Sequence, residues 1–194
     1  TYMVAVAAAK GNVLIKNVIP KHLESITTKL RECGVTVEEY EDSVRVISNR
    51  RYDACKVTAT PHPGFPTDMQ PQMTTFLSIC NGTSIVTDSV WDNRFRYVDQ
   101  LIRMGASIQI EGKAAIITGV ERLQAAPIKA DDLRAGAAML IAGMCAHGTT
   151  QIEEIIHIER GYENVVEKLR GIGAHISKVN FPDDTGEAIV GNAG

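Results

Sequence analysis

Apolar and polar positions recur along this chain in three rounds of one design. Each round opens at a glycine, continues as a strand-like run, and then takes on helical spacing that ends in L-x-x-x-G. The rounds run from Gly11 through Leu30 to Gly34, from Gly82 through Leu101 to Gly105, and from Gly148 through Leu169 to Gly173. Opening and closing glycines lie 23, 23 and 25 residues apart. A period this long exceeds that of the common solenoids, so three supersecondary units sharing one core are expected. Each closing glycine fits the position just past a helix, where a left-handed residue ends it. The alternating residues that follow, at 35–37, 107–110 and 175–177, predict strands.

A second helix is predicted in front of each opening glycine, over residues 2–10, 68–81 and 132–147. The first and third are apolar almost all round, and residues 135–142 show no polar face. Such helices are buried on every side. The helices inside each round, such as 22–33, carry a polar stripe and suit a surface or a sheet. Three inner helices wrapped by strands and amphipathic helices make an inside-out, barrel-like α/β domain of three βαβαββ-type repeats. The same periodicity also fits an ordinary layered α/β domain. Strands predicted around 54–60 and 124–128 have no counterpart before residues 2–10. The first repeat is therefore expected to be incomplete, its strand supplied by another part of a longer polypeptide or lost to a cut. One domain is expected over residues 1–180, and the polar, aperiodic stretch 181–194 is expected to be a disordered tail.

Composition narrows the function classes. Hydrophobic residues are 44% and charged residues 22%, as in soluble globular proteins. Apolar runs are broken well before the ~18 residues a membrane span needs, and no signal peptide is visible. The net charge of −3 favours neither nucleic acid nor a membrane surface, so an anionic ligand needs a local cluster of Arg or Lys. The cysteines, Cys33, Cys55, Cys80 and Cys145, form no C-x-x-C pair, and the five histidines add no metal-ligand spacing. Reduced, buried thiols in a cytoplasmic protein are expected.

The segment 62–70 is the most unusual. Three prolines, Pro61, Pro63 and Pro66, stiffen the approach to a helix. Pro71 lacks an N–H, which favours Asp68 as the helix cap with Pro71 at the third helical position. Asp68 is then either a cap alone or a carboxylate placed to act as a general base toward a hydroxyl. Asp132 occupies the equivalent place before the third inner helix. Arg94 and Arg160 each lie 12 residues past an opening glycine, at strand-to-helix junctions, and Arg134 lies two residues after Asp132. Arginines at equivalent ends of repeated units can converge on one anion, which the planar guanidinium grips bidentately. The competing reading pairs each with a nearby acid: Asp92, Glu159 or Asp132. Trp91, three residues before Arg94, suits either stacking on a ligand or packing.

The stretch T-P-H-P-G-F-P-T-D-M-Q over 60–70, Asn93-Arg94-Phe95, Asp132-Leu133-Arg134-Ala135 and the run 157–163 (H-I-E-R-G-Y-E) together resemble the UDP-N-acetylglucosamine carboxyvinyltransferases, from Thr1 to about Ile176. That resemblance implies an enolpyruvyl transferase fold of two inside-out α/β domains, with this chain as the C-terminal one. It also implies that N-terminal residues of the parent cross over to complete the first repeat. The implied reaction adds the 3′-hydroxyl of UDP-N-acetylglucosamine to C2 of phosphoenolpyruvate and releases phosphate, the first committed step of peptidoglycan synthesis. No metal or organic cofactor is implied. Asp68 would contact the 3′-hydroxyl and take its proton, and Val90 would meet the sugar nucleotide through its backbone. Trp91 stands beside it where Phe is usual in the family. Arg94 and Arg134 would bind the carboxylate of phosphoenolpyruvate, Arg160 its phosphate, and Asp132 would orient the arginines or assist the proton steps. The reactive loop cysteine, a lysine and an asparagine belong to the other domain, and none of the four cysteines here matches that loop. Without that domain the chain is expected to be inactive. A non-catalytic binding domain of the same fold is the alternative from another class. A half of an enolpyruvylshikimate-phosphate synthase is disfavoured by P-T-D-M-Q and by Arg at position 160.

Overall fold

Three helices occupy the centre: α1 (Tyr2–Ala9), α3 (Gln70–Leu77) and α5 (Leu133–Cys145), and each packs against the other two. The computed structural model describes residues 1–180 and 187–192. Residues 3–8 of α1 and 135–144 of α5 are buried, as their all-round apolar character requires. Helix α3 is equally buried despite Gln70, Gln72, Thr74 and Thr75. Some of its polar groups find internal partners: Thr75 donates to the Pro71 carbonyl at 3.0 Å, and Tyr97 donates to Gln70 Oε1 at 2.9 Å, whereas Gln70 Nε2, Gln72 Oε1 and Thr74 Oγ1 are buried without a partner among the described residues.

Around these helices stand three sheets. The first comprises β1 (Asn12–Lys16), β2 (Thr36–Glu39) and β3 (Ser43–Ile47), with α2 (Glu24–Glu32) packed on β2. The second comprises β4 (Lys56–Ala59), β5 (Thr83–Asp88), β6 (Ser107–Glu111) and β7 (Ala114–Thr118), with α4 (Val98–Arg103) against β6. A short parallel pair, β8 (Leu123–Gln124) with β10 (Ala146–His147), bridges to the third unit. That unit contains β9 (Pro127–Lys129), β11 (Thr149–Glu153), α6 (Ile156–Glu159), α7 (Val165–Gly171), β12 (His175–Asn180) and β13 (Glu187–Asn192).

The strand orders are β1-β3-β2, β4-β5-β7-β6 and β9-β11-β13-β12. One plan underlies all three. The last strand of each repeat lies beside the first and pairs antiparallel with both neighbours. In the second and third sheets the strand before the inner helix adds in parallel, as β4 does to β5 and β9 to β11. The first sheet has three strands, and β1 pairs only with β3 among the described residues. The architecture is inside-out, as the repeat predicts, though the sheets remain separate and do not close into one barrel. The closing glycines Gly34, Gly105 and Gly173 have φ of 94°, 89° and 101°. Among the described residues no helix is long and apolar enough to cross a membrane.

Two expectations need correction. Residues 187–192 are not a disordered tail, since β13 lies between β11 and β12 and buries Ala188 and Ile189. The repeat plan requires such a strand, and without it both neighbours would face each other with unpaired backbone groups. The domain therefore extends past residue 180; residues 181–186 and 193–194 of the expected tail lie outside those described. Asp68 is not a helix cap. A 3-10 turn over Thr67–Met69 starts directly after Pro66, so α3 begins only at Gln70, and Met69 stands before it without a capping side chain. Pro71 is the second helical residue, where a missing N–H still costs nothing.

Arg51, absent from the sequence reading, ties the second unit together. Its Nε donates to the Ile79 carbonyl at 2.9 Å, and its Nη2 lies at 2.8–3.1 Å from the carbonyls of Cys80, Gly119 and Val120. The guanidinium thus closes the C-terminal end of α3 onto the end of β7, where a cation is favoured. Lysine carries the charge without the fork. Arg51→Lys is expected to lower the unfolding free energy by roughly 1–3 kcal/mol, measured by urea denaturation of the chain.

Candidate functional site

The first turns of the inner helices meet at one end of the molecule. Thr1 Oγ1 lies 2.6 Å from the Tyr162 hydroxyl and accepts from Gln72 Nε2 at 3.2 Å, which joins the start of α1 to the start of α3. Arg134 Nε donates to Asp68 Oδ1, which joins the start of α3 to the start of α5. Unpaired backbone N–H groups and positive dipole ends gather where helices begin, so this end favours anions.

Asp132 caps α5. Its Oδ1 accepts the backbone N–H of Arg134 at 2.7 Å and of Ala135 at 2.9 Å. The cap fixes the backbone from which the Arg134 side chain departs. Arg134 is partly exposed, and its guanidinium is held above its ordinary pKa, first by the hydrogen bond to Asp68, with the charges of Asp68 and Asp132 adding to it. Only Nε is engaged by Asp68, which leaves further N–H donors of the fork for another acceptor.

A cavity of about 390 Å³ opens here, lined among others by Trp91, Arg94, Arg96, Tyr97, Asp132 and Arg134. Arg94 stacks its guanidinium carbon 5.5 Å from the centre of the Trp91 ring. Trp91 is 57% exposed, so its indole is a surface platform and not part of the core. Tyr97 is buried beneath, and desolvation pushes its phenol well above the usual value. Val90 belongs to the same loop, and its N–H donates to Asp88 Oδ1 at 3.0 Å.

Arg160 does not line this cavity but belongs to the same end. It follows α6, and the next residue, Gly161, packs so closely on Leu133 that an added Cβ would lie 2.4 Å from Leu133 Cδ1. The chain next to Arg160 is thereby held against the neighbour of Arg134. Asp68, Trp91, Arg94, Asp132 and Arg134 therefore cluster about the starts of α3 and α5, and the backbone beside Arg160 packs on Leu133 at the start of α5.

The reading in which each arginine pairs with its local acid does not hold. Asp92 bonds Lys113 at 2.9 Å, Glu159 bonds Lys178 at 2.8 Å, and Asp132 is committed to its cap. Among the described residues neither Arg94 nor Arg160 forms a salt bridge. Sequence reasoning missed Arg96 and Tyr97 on the cavity wall, and Asp88 below it. Only the two-residue step from Arg94 to Arg96 was available as a signal. The thiols lie elsewhere: Cys33, Cys55 and Cys80 are buried, and burial raises the Cys80 thiol to about 12. No group of three or more His, Cys, Asp or Glu able to hold a metal occurs among the described residues.

Asp132→Ala is expected to cost about 0.5–2 kcal/mol of stability through the lost cap. Asp68→Ala, which breaks a largely exposed ion pair, is expected to change it by no more than about 1 kcal/mol. Parallel denaturant titrations of the two variants check the contrast.

Residues 1–169 match the family described as EPSP synthase (3-phosphoshikimate 1-carboxyvinyltransferase). Curated relatives named UDP-N-acetylglucosamine 1-carboxyvinyltransferase include one from Clostridium botulinum, 54% identical over 92% of this chain and 43% of its own length. One from Desulfofundulus thermocisternus is 49% identical over 95% of this chain and 76% of its own length. The chain spans about two-fifths of the length of several such relatives. Among solved structures, the enolpyruvyl transferase NikO from Streptomyces tendae superposes with a TM-score of 0.79 at 23% identity, over 89% of this chain and 42% of NikO. EPSP synthase from Acinetobacter baumannii superposes with a TM-score of 0.69 at 18% identity, over 100% of this chain and 45% of its own.

Proposed function

The chain belongs to the EPSP synthase (3-phosphoshikimate 1-carboxyvinyltransferase) family, and we propose that it forms the C-terminal half of an enzyme that transfers the enolpyruvyl group of phosphoenolpyruvate to the 3′-hydroxyl of UDP-N-acetylglucosamine. The observation that carries this reading is Arg94 and Arg134 on one cavity wall at the meeting helix starts, with Asp68 bonded to Arg134 and the chain at Arg160 held close by through Gly161. Arg94 and Arg160 have no acidic partner among the described residues, and Arg134 keeps free donors. A small anion with a carboxylate and a phosphate meets that need, because each group accepts paired N–H bonds from a guanidinium.

In this reading Asp68 takes the proton of the 3′-hydroxyl as the sugar oxygen bonds to C2 of phosphoenolpyruvate and a proton adds at C3. The C2–O bond to phosphate then breaks, C3 loses a proton, and the double bond returns in the product. Arg94 and Arg134 hold the carboxylate, and Arg160 neutralises the departing phosphate. The Arg134–Asp68 contact orients the carboxylate, and Asp132 fixes the helix turn that presents Arg134. The Val90 N–H is already bonded to Asp88, which leaves its carbonyl for the sugar nucleotide. Trp91 walls the site with an aromatic face. The complementary domain of the parent closes the site against water and adds its remaining charges, and the strand missing from the first sheet comes from the same parent chain. Both substrates are cytoplasmic metabolites, which places the reaction in the cytoplasm. A half of an enolpyruvylshikimate-phosphate synthase is the second reading; its support is the family description and the fold, against about 50% identity to the relatives named for the sugar nucleotide.

Phosphate release from the two substrates tests the proposal. The chain alone is expected to release none, and adding the complementary domain of a carboxyvinyltransferase relative is expected to restore release. Asp68→Ala should then lower the restored rate by about 10²- to 10⁴-fold. Shikimate 3-phosphate in place of the sugar nucleotide should give no release. Restored turnover indifferent to Asp68→Ala removes Asp68 from the chemistry. Turnover with shikimate 3-phosphate alone moves the assignment to the second reading.

A further inference from the structure

Among the described residues Asp88 is the one charged residue in the set of buried polar side chains, at 0% exposure, and it forms no salt bridge there. Its carboxylate is instead consumed by three hydrogen bonds. Oδ2 accepts from the Thr67 hydroxyl at 2.6 Å, and Oδ1 accepts from the backbone N–H of Val90 at 3.0 Å and of Trp91 at 3.1 Å. Thr67 immediately precedes Asp68 in the 3-10 turn before α3. Val90 and Trp91 begin the loop that carries Arg94. One carboxylate therefore clamps the turn bearing the base to the loop bearing the sugar-nucleotide contact and the Arg94 stack.

Its own position is fixed from both sides. Asp88 ends β5, pairs in register with Ala59 of β4, and donates its N–H to the Lys113 carbonyl at 2.9 Å. The C-terminal ends of adjacent parallel strands are where α/β folds place their ligands.

The repeat shows that the fold itself does not call for a carboxylate here. Six residues past the opening glycine, the first and third repeats carry Asn17 and Glu154. Both are exposed and both adopt a left-handed φ, of 58° and 63°. Only in the second repeat, the one that supplies Asp68, Val90 and Arg94, does the side chain turn inward. Burying a carboxylate without a cation is costly, and it survives because three donors replace the lost water.

We infer that Asp88, acting through Thr67, is the positioning residue that sets Asp68 against the Val90–Trp91 loop; this rests on the role proposed for Asp68 above. Asp88 touches neither substrate nor reacting atom.

The test uses the full-length enzyme that contains this chain, with kcat and both KM values read together with the thermal midpoint. Thr67→Val keeps the shape of the side chain and removes only the hydroxyl that links Asp88 to the turn. It is expected to lower kcat by about 10- to 100-fold, the scale of a slightly misplaced catalytic group. Both KM values should be unchanged, the midpoint should fall by a few degrees because Asp88 Oδ2 loses its donor, and Thr67→Ser should recover most of the rate and of the midpoint. Within an Asp68→Asn background, Thr67→Val should have no further effect on kcat, because the group it positions is gone. Asp88→Ala should lower kcat at least as far and also raise KM for the sugar nucleotide through the freed Val90–Trp91 backbone. If it fails to fold, Thr67→Val carries the test. Unchanged kcat in Thr67→Val, with Asp68→Asn inactive, overturns the positioning role and leaves Asp68 as the base. So does a lowered midpoint with unchanged kcat, which marks Thr67 as structural. Full activity in Asp68→Asn overturns the reading of Asp68, and the inference with it.

Discussion

Three helices packed against one another at the centre bring three helix starts to the same end of the molecule. The packing is compulsory, because α1 and α5 have no polar face to offer to water. Its consequence is electrostatic. Aligned helix starts gather partial positive charge that each would otherwise dissipate alone. The protein adds arginines to that end instead of neutralising it fully with acids. A surface so arranged is stable enough to persist and still short of negative charge, which is the condition for holding a small anion.

The acids near the arginines are each employed elsewhere. Asp132 serves the backbone of α5, Asp92 serves Lys113, and Glu159 serves Lys178. Among the described residues Asp68 alone forms a salt bridge with a cavity arginine, and it engages one nitrogen of Arg134. Division of this kind separates structural carboxylates from the carboxylate left near the cavity. Asp88 extends it by one layer, as a buried acceptor for groups that present the site.

Much of the architecture was legible because the repeat is written in glycines and apolar periodicity. Gly34, Gly105 and Gly173 adopt the left-handed φ that a helix end demands, and residues 135–142 could only be buried. What was hidden depended on partners distant in sequence. Residues 187–192 look like a tail because Gly191 and Asn192 weaken the strand signal, yet their place is set by two flanking strands. Asp68 and Asp132 look equivalent before their helices, but Pro66 starts a turn early and moves Asp68 off the capping position. Asp88 resembles any polar residue at a strand end. Only the fold shows that Thr67, Val90 and Trp91 converge on it. The arginine cluster was legible as repeat positions, whereas their freedom from local acids required the competing lysines to be located.

The order of strands within each sheet also governs how the molecule comes into being during translation. In every repeat the strand synthesised last takes an interior place, beside the strand synthesised first. A nascent chain can pair β4 with β5, and β9 with β11, as they emerge, but each sheet closes only once its final strand arrives. For the third unit that wait lasts until β13 has emerged, and until then the ladders of β11 and β12 remain open to whatever strand reaches them first.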